Sequence, residues 1–339
     1  MKRLALICMI AMTAYSCKST QNQTHQQDPV TYAKSITSAD LNDYLSVLAS
    51  DEFEGRETGT PGQKKAAEFL SNFYSSLNIA GGDHTDDTPY LQEIPSEFYN
   101  DRFGDSENII AIIEGEELPN EYVVISAHYD HLGMKDDEIY NGADDDGSGT
   151  VGVMEIAEAF KKAYRDGNKP KRSIIFLHFT GEEKGLLGSK YYTENPIYSL
   201  DNTVANLNID MIGRRDDAHQ NNGNYLYLIG SDRLSSELHQ ISEDANATYV
   251  NLDLDYKYNA EDDPNRFYFR SDHYNFAKFD IPVIFYFNGV HADYHKPTDT
   301  VEKIEYNLLE KRTKLVFYTA WELANRDERP IVDNPTLDK

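Results

Sequence analysis

The chain of 339 residues is poor in cysteine, with two, and poor in cations, with 32 Lys and Arg against 58 Asp and Glu. Cys8 lies in an N-terminal segment expected to be removed. Cys17 is then the only thiol left, and no intramolecular disulfide can form. The shortage of cations gives a formal net charge of −26, and such an acidic surface disfavours a basic patch for nucleic acid or for an anionic membrane. Long hydrophobic runs are missing too: the N-terminal one, from Leu4 to Ala14, is too short to cross a bilayer as a stable anchor. No internal repeat is visible and no Pro/Gly/Ser linker divides residues 40 to 325, so the chain reads as one large domain. Its 40% of hydrophobic residues suffices for a sizeable core.

The N-terminus itself is informative. Lys2 and Arg3 ahead of the apolar run predict a secretory signal, and Ala14-Tyr15-Ser16-Cys17 resembles a bacterial lipobox, cleaved before the cysteine that receives the lipid. The expected organisation is a signal peptide over 1–16, a flexible polar tether over 17–37, one domain over 38–327 and a tail over 328–339. The expected location is the cell envelope, in the periplasm or at the outer membrane, with membrane attachment only through a lipid on Cys17.

Periodicity predicts helices at 38–48, at 61–77 behind Thr60 and Pro61, at about 148–166, and at 307–325. The runs "YVVIS" (122–126), "SIIFLHF" (173–179), "NLNIDMIG" (206–213) and "PVIFYF" (282–287) are continuously apolar, as in strands covered on both faces. Strand, helix, strand over 122–179 makes a βαβ unit. "DEFEGRETGTPG" (51–62) reads as a polar turn, and the stretch before Tyr122 as loops with a short strand.

Polar motifs close each predicted strand, where an open α/β sheet presents its ligand crevice. "SAHYDHLG" supplies His128, Asp130 and His131; "HFTGEEKGLLGS" supplies Glu182 and Glu183; "NLNIDMIG" carries Asp210 inside an apolar strand; "HADYHKPTDT" supplies His295. A buried Asp needs a partner or a metal. "NGADDDGSGT" (141–150) crowds Asp144, Asp145 and Asp146, whose mutual repulsion a cation would offset. Singly, each residue has an ordinary structural role. Together they describe a first-row metal site, and the mixture of His, Asp and Glu favours zinc over calcium or magnesium.

The ordered set "AHYDH", "GADDDGSG", "TGEEKGLLGS", "NIDM", "RSDH" and "YHKPTDT", spread over residues 40 to 325, resembles the secreted bacterial aminopeptidases with two co-catalytic zinc ions. The resemblance implies an α/β fold of zinc exopeptidase type: three layers, with a mixed, mostly parallel central sheet and helices on both faces. It further implies peptide substrates and two Zn²⁺ per chain. Asp145 would bridge the ions, His128 and Asp210 would hold one, and Glu183 and His295 the other. Asp130 would orient the His128 ring, Glu182 would be the general base, and Tyr294 would polarise the scissile carbonyl. Asp144 and Asp146 would structure the loop, and the Asp145-Asp146 peptide would be cis. Glutaminyl cyclases share the fold with one zinc, and a catalytically silent binding lipoprotein is the alternative outside enzymes. Residues 250–270 are read either as lining the cleft or as an acidic surface loop.

Overall fold

The computed structural model of the protein describes residues 28–82 and 88–334. The signal peptide, the lipobox, most of the tether and the end of the tail therefore lie outside the described residues. No helix among the described residues is long and apolar enough to cross a membrane.

Helices α1 (Pro29–Ala33), α2 (Ser38–Leu48) and α3 (Pro61–Ser76) come first. Four strands follow: β1 (Ala80–Gly81), β2 (Leu91–Ile94), β3 (Ser106–Ile113) and β4 (Leu118–His128). A hairpin of β5 (Gly133–Lys135) and β6 (Glu138–Tyr140) leads through the aspartate loop into α4 (Gly149–Arg165). Then come β7 (Arg172–Phe179), α5 (Leu187–Glu194), β8 (Thr203–Ile209), β9 (Tyr225–Ile229) and α6 (Ser236–Ala245). The chain ends with β10 (Asp253–Asp255), α7 (His273–Ala277), β11 (Val283–Phe287) and α8 (Tyr306–Asn325).

Nine strands form one sheet in the order β1-β3-β7-β4-β8-β11-β9-β10, with β2 also paired to β3. The central four, β7, β4, β8 and β11, are parallel, while β3 and β9 flank them in the opposite sense. Alternate residues of each strand enter different cores, as the period of two requires. Val123, Ile125, Ile174 and Leu207 pack under α1–α4, α6 and α8, whereas Val124, Ile175, Leu177 and Phe285 face α5, α7 and an aromatic cluster. Both faces are covered, which explains why these strands are apolar throughout.

Several boundaries differ from expectation. The tether expected over 17–37 is structured from Asp28 onward: α1 is capped by the Asp28 carboxylate, and its Tyr32 is fully buried and stacked on Trp321 at 5.5 Å. The tail expected from 328 is anchored through residue 334. Arg329 pairs with Glu121 at 3.0 Å, and the Ile331 and Ser236 amides donate to Glu237 and Asp333. The stretch before Tyr122 holds three strands, not one. The expected polar turn around Glu54 is a pair of tight turns that bury Arg56 completely. The Arg56 guanidinium donates to the carbonyls of Leu48, Tyr129, Asn141 and Gly142 and so clamps the loops on either side of the β5–β6 hairpin.

Candidate metal centre

Parallel strands in register bring their C-terminal ends to one edge of the sheet. His128 closes β4 level with Phe179 at the end of β7, and Ser126 pairs with Asn208, two residues before His128 and Asp210 respectively. Asp210 thus lies one residue beyond β8, not inside the strand as expected, and its amide still donates to the carbonyl of Tyr286. Past β7, Gly181 at φ +67° starts the tight turn that carries Glu182 and Glu183. His295 comes from the loop after β11.

The aspartate loop divides its three carboxylates. Asp144 accepts from the Gly213 amide and the Ser148 hydroxyl and lies 3.1 Å from His291. One oxygen of Asp146 accepts from the amides of Gly149 and Met211. Asp145 alone turns both oxygens into the cavity. Its Oδ1 is 3.3 Å from His128 Nε2, which is in turn 3.6 Å from Asp210 Oδ1. Its Oδ2 is 3.0 Å from His295 Nε2, which is 3.2 Å from Glu183 Oε2. The Asp145-Asp146 peptide is cis. The loop's own amides, those of Asp144 and Asp145, donate to Asp299 Oδ2 at 3.0 and 3.2 Å.

These atoms converge without bonding to one another. Asp145 Oδ2, Glu183 Oε1 and both ring nitrogens of His131 are buried and form no hydrogen bond, although His131 Nδ1 is only 2.9 Å from Glu183 Oε1. Donors and acceptors this close but aimed past each other suit a shared cation, and the imidazole and carboxylate set suits zinc. Two groups have ligand atoms mutually within 4.8 Å: His131, Asp145 and Glu183, and His128, Asp146 and Asp210. In the second, Asp146 Oδ2 is buried without a hydrogen-bond partner while its Oδ1 accepts two amides, and Asp145 Oδ1 faces the same pair, 3.3 Å from His128 Nε2.

The electrostatics point the same way. Burial opposes protonation of His128, yet Glu182 and Asp210 beside it hold the imidazole well above its usual range. His295 is pushed up to about 10 against the effect of burial, through Asp145 and Glu183. Burial, with Asp210 and Glu183 adding to it, holds the Glu182 carboxyl well above normal. The pocket thus calls for positive charge, and a divalent cation would supply it.

Sequence reasoning placed Glu182, Asp130 and Tyr294 here as well. Glu182 lines the cavity, its Oε2 4.0 Å from His128 Nε2. Tyr294 also lines it, stacked on His295 at 3.9 Å. Asp130 differs in detail. The atom within hydrogen-bond reach of His128 Nδ1 is its main-chain carbonyl, at 3.1 Å, while its carboxylate oxygen is 3.7 Å away. That carboxylate instead accepts from the Thr58 hydroxyl and the Glu182 amide. His131 was named at the strand end but given no role. Of residues 250–270, only Phe267 and Arg270 line the cavity, and 253–255 pair as the edge strand β10.

Fold and site together define a metal-binding α/β protein whose centre sits at the carboxyl ends of parallel strands. Residues 108–320 match peptidase family M28, and the chain belongs to that family. A probable leucine aminopeptidase of Arthroderma otae is 30% identical over 224 residues, 64% of this chain and 57% of the relative. The first curated relatives share with this chain a segment that is 14% of their own length. Among solved structures, the LapA aminopeptidase of Legionella pneumophila superposes with a TM-score of 0.70 at 23% identity, over 90% of this chain and 76% of that one. The glutaminyl cyclase of Porphyromonas gingivalis does so at 0.65 and 21%, over 84% and 97%.

Proposed function

We propose that the protein is a zinc-dependent aminopeptidase that removes N-terminal residues from peptides, with two zinc ions at the sheet edge. The observation that carries this reading is the division of Asp145, whose two oxygens face two different donor sets. His128, Asp145 and Asp210 would hold one ion; Asp145, Glu183 and His295 the other. When bound, the ions supply Lewis-acid polarisation of a carbonyl and lower the pKa of water from 15.7 to about 7.

The chain's own groups do the rest. Glu182 takes the proton of the attacking water and hands it to the leaving amine, as its place on the cavity wall beside His128 allows. Asp130 is a positioning residue, fixing the Glu182 turn through the amide and the His128 ring through its own carbonyl. Tyr294 directs its hydroxyl to the carbonyl oxygen of the substrate. The aromatic walls limit the access of bulk water.

The test is zinc per chain together with release of nitroaniline from an aminoacyl-nitroanilide. Glu182→Gln should lower kcat by about 10²-fold or more with zinc retained, the size of a general-base contribution; near-normal turnover refutes the assignment. One zinc per chain with cyclisation of N-terminal glutaminyl peptides would instead point to cyclase chemistry. We further propose lipid anchoring in the cell envelope at Cys17. Cys17→Ser should then move the protein from the membrane to the soluble fraction with unchanged specific activity, and a soluble wild type would exclude it.

A further inference from the structure

Besides the candidate ligands, Phe267, Phe285 and Phe287 line the cavity, with one Lys or Arg among the lining residues, Arg270. Arg270 is exposed, and its guanidinium lies 5.1 Å from the centroid of the Phe267 ring. Its main chain is fixed by the next residue, since the Ser271 hydroxyl donates to Asp210 Oδ2 at 2.6 Å. Other cations on the surrounding loops are engaged. Lys184 pairs with Glu57 at 2.8 Å, Arg214 with Asp293 at 3.0 Å, and Arg56 is sealed among carbonyls. Among the described residues no carboxylate pairs with Arg270, in a chain with 58 acidic residues. The phenylalanine rings offer a substrate carboxylate no donor. Asp145, Glu182 and Asp210, which line the same cavity, repel one unless metal neutralises them.

We propose that Arg270 is a specificity-determining residue that pairs with a carboxylate of the substrate, so that the site prefers short peptides with an anionic group next to the cleaved bond. The inference rests on the aminopeptidase reading and names its substrate class. The carboxylate has two sources, the free C-terminus of a dipeptide or the side chain of Asp or Glu in a longer one. The fork of the guanidinium suits either.

The experiment compares Leu-Ala, Leu-Ala-amide, Leu-Asp-amide and leucine nitroanilide on the zinc-loaded wild type and on Arg270→Ala and Arg270→Lys. Arg270→Ala should raise KM for the carboxylate-bearing peptides by about tenfold or more, the scale of a charge-assisted hydrogen bond, with kcat and the neutral substrates unchanged. Arg270→Lys should recover part of the loss. An effect on Leu-Ala but not Leu-Asp-amide assigns the C-terminus, and the converse assigns the side chain. Equal change on neutral and anionic substrates, or no change on any, overturns the proposal. Calorimetric binding of Leu-Ala and Leu-Ala-amide to Glu182→Gln keeps the readout independent of turnover. Equal affinities there also overturn the proposal, whereas a clear preference for the acid in a protein whose wild type turns nothing over supports Arg270 and refutes the aminopeptidase reading alone.

Discussion

In the two-ion centre proposed above, removing one buried hydroxyl should weaken one metal site and leave the other intact. Asn206 on β8 donates to the Ser126 hydroxyl on β4 at 2.8 Å, Ser126 donates to Asn208 at 2.7 Å, Asn208 to Ser271 at 2.8 Å, and Ser271 to Asp210 Oδ2 at 2.6 Å. All four donors are buried, and every one points toward Asp210. Such a chain polarises its members in the same direction, and it holds the second oxygen of Asp210 so that the first faces His128. Ser271→Ala deletes the last donor and strands the Asn208 amide. The first loss should cost about 10- to 100-fold in metal affinity, and the second about 1–3 kcal/mol of stability. Zinc competition against a chelator, with metal analysis, reads the first; thermal unfolding of the metal-free protein reads the second. Only one ion should weaken, since Asp210 stands with His128 and not with Glu183 or His295. Ser126→Ala cuts the same chain further away and should lower stability with a smaller loss of zinc. Unchanged affinity in Ser271→Ala, or equal weakening of both ions, would refute the reasoning.

Within the aspartate triplet, Asp145→Asn should lose at least one zinc per chain by metal analysis, while Asp144→Asn keeps the wild-type content because its carboxylate is spent on Gly213, Ser148 and His291. Far from the metal centre, Glu155 of α4 is buried and accepts from the Thr37 amide, and burial, with Glu158 and Asp40 adding to it, pushes its carboxyl up to about 8. Its folded pKa lies above the ordinary 4.5, so the stability it contributes is full below that value and is lost as pH rises through 8. Glu155→Gln should therefore raise Tm relative to wild type progressively as pH rises from 5 to about 8; a pH-independent difference would show that the carboxyl does not titrate in this range.

That the expected residues meet at one edge of the sheet was legible because the signal is local. A polar motif that interrupts an apolar run marks a strand end, and parallel neighbours put those ends side by side. The residues that were missed depend on distant chain. Nothing in "DEFEGRETGTPG" tells that Arg56 is buried, because the carbonyls that receive it come from Leu48, Tyr129, Asn141 and Gly142. The alternating Asn206 and Asn208 in "NLNIDM" were visible as polar residues in a strand, but their partners, Ser126 and Ser271, lie far along the chain. Tyr32 falls at the end of a polar stretch that resembles a linker by composition, and only the stack with Trp321 of α8 makes it core. Strand β3 was within reach: "IIAII" is an apolar run like the others, and its two short neighbours, of two and four residues, are what let three strands fit.

The crowding of carboxylates in "NGADDDGSGT" resolves into three separate tasks. The outer pair is bound by main-chain amides on both sides of the loop: Asp144 reaches Gly213, and Asp146 reaches Gly149 and Met211. These amides cannot move away, and they fix the loop against the segment that follows β8 and carries Asp210. Glycine at 149 is a requirement of that arrangement, because a Cβ there would collide with the Asp146 carboxylate. Asp299 grips the loop from the other side through the amides of Asp144 and Asp145. With its neighbours tied and its own amide spoken for, the Asp145 side chain has one direction left, between His128 and His295. Three like charges in a row therefore fare differently. Asp144 is met by an amide, a hydroxyl and an imidazole. Asp146 has one oxygen bonded and the other buried without a hydrogen-bond partner, so that burial holds its carboxyl well above the usual range. Asp145 faces the two donor sets that a cation would complete.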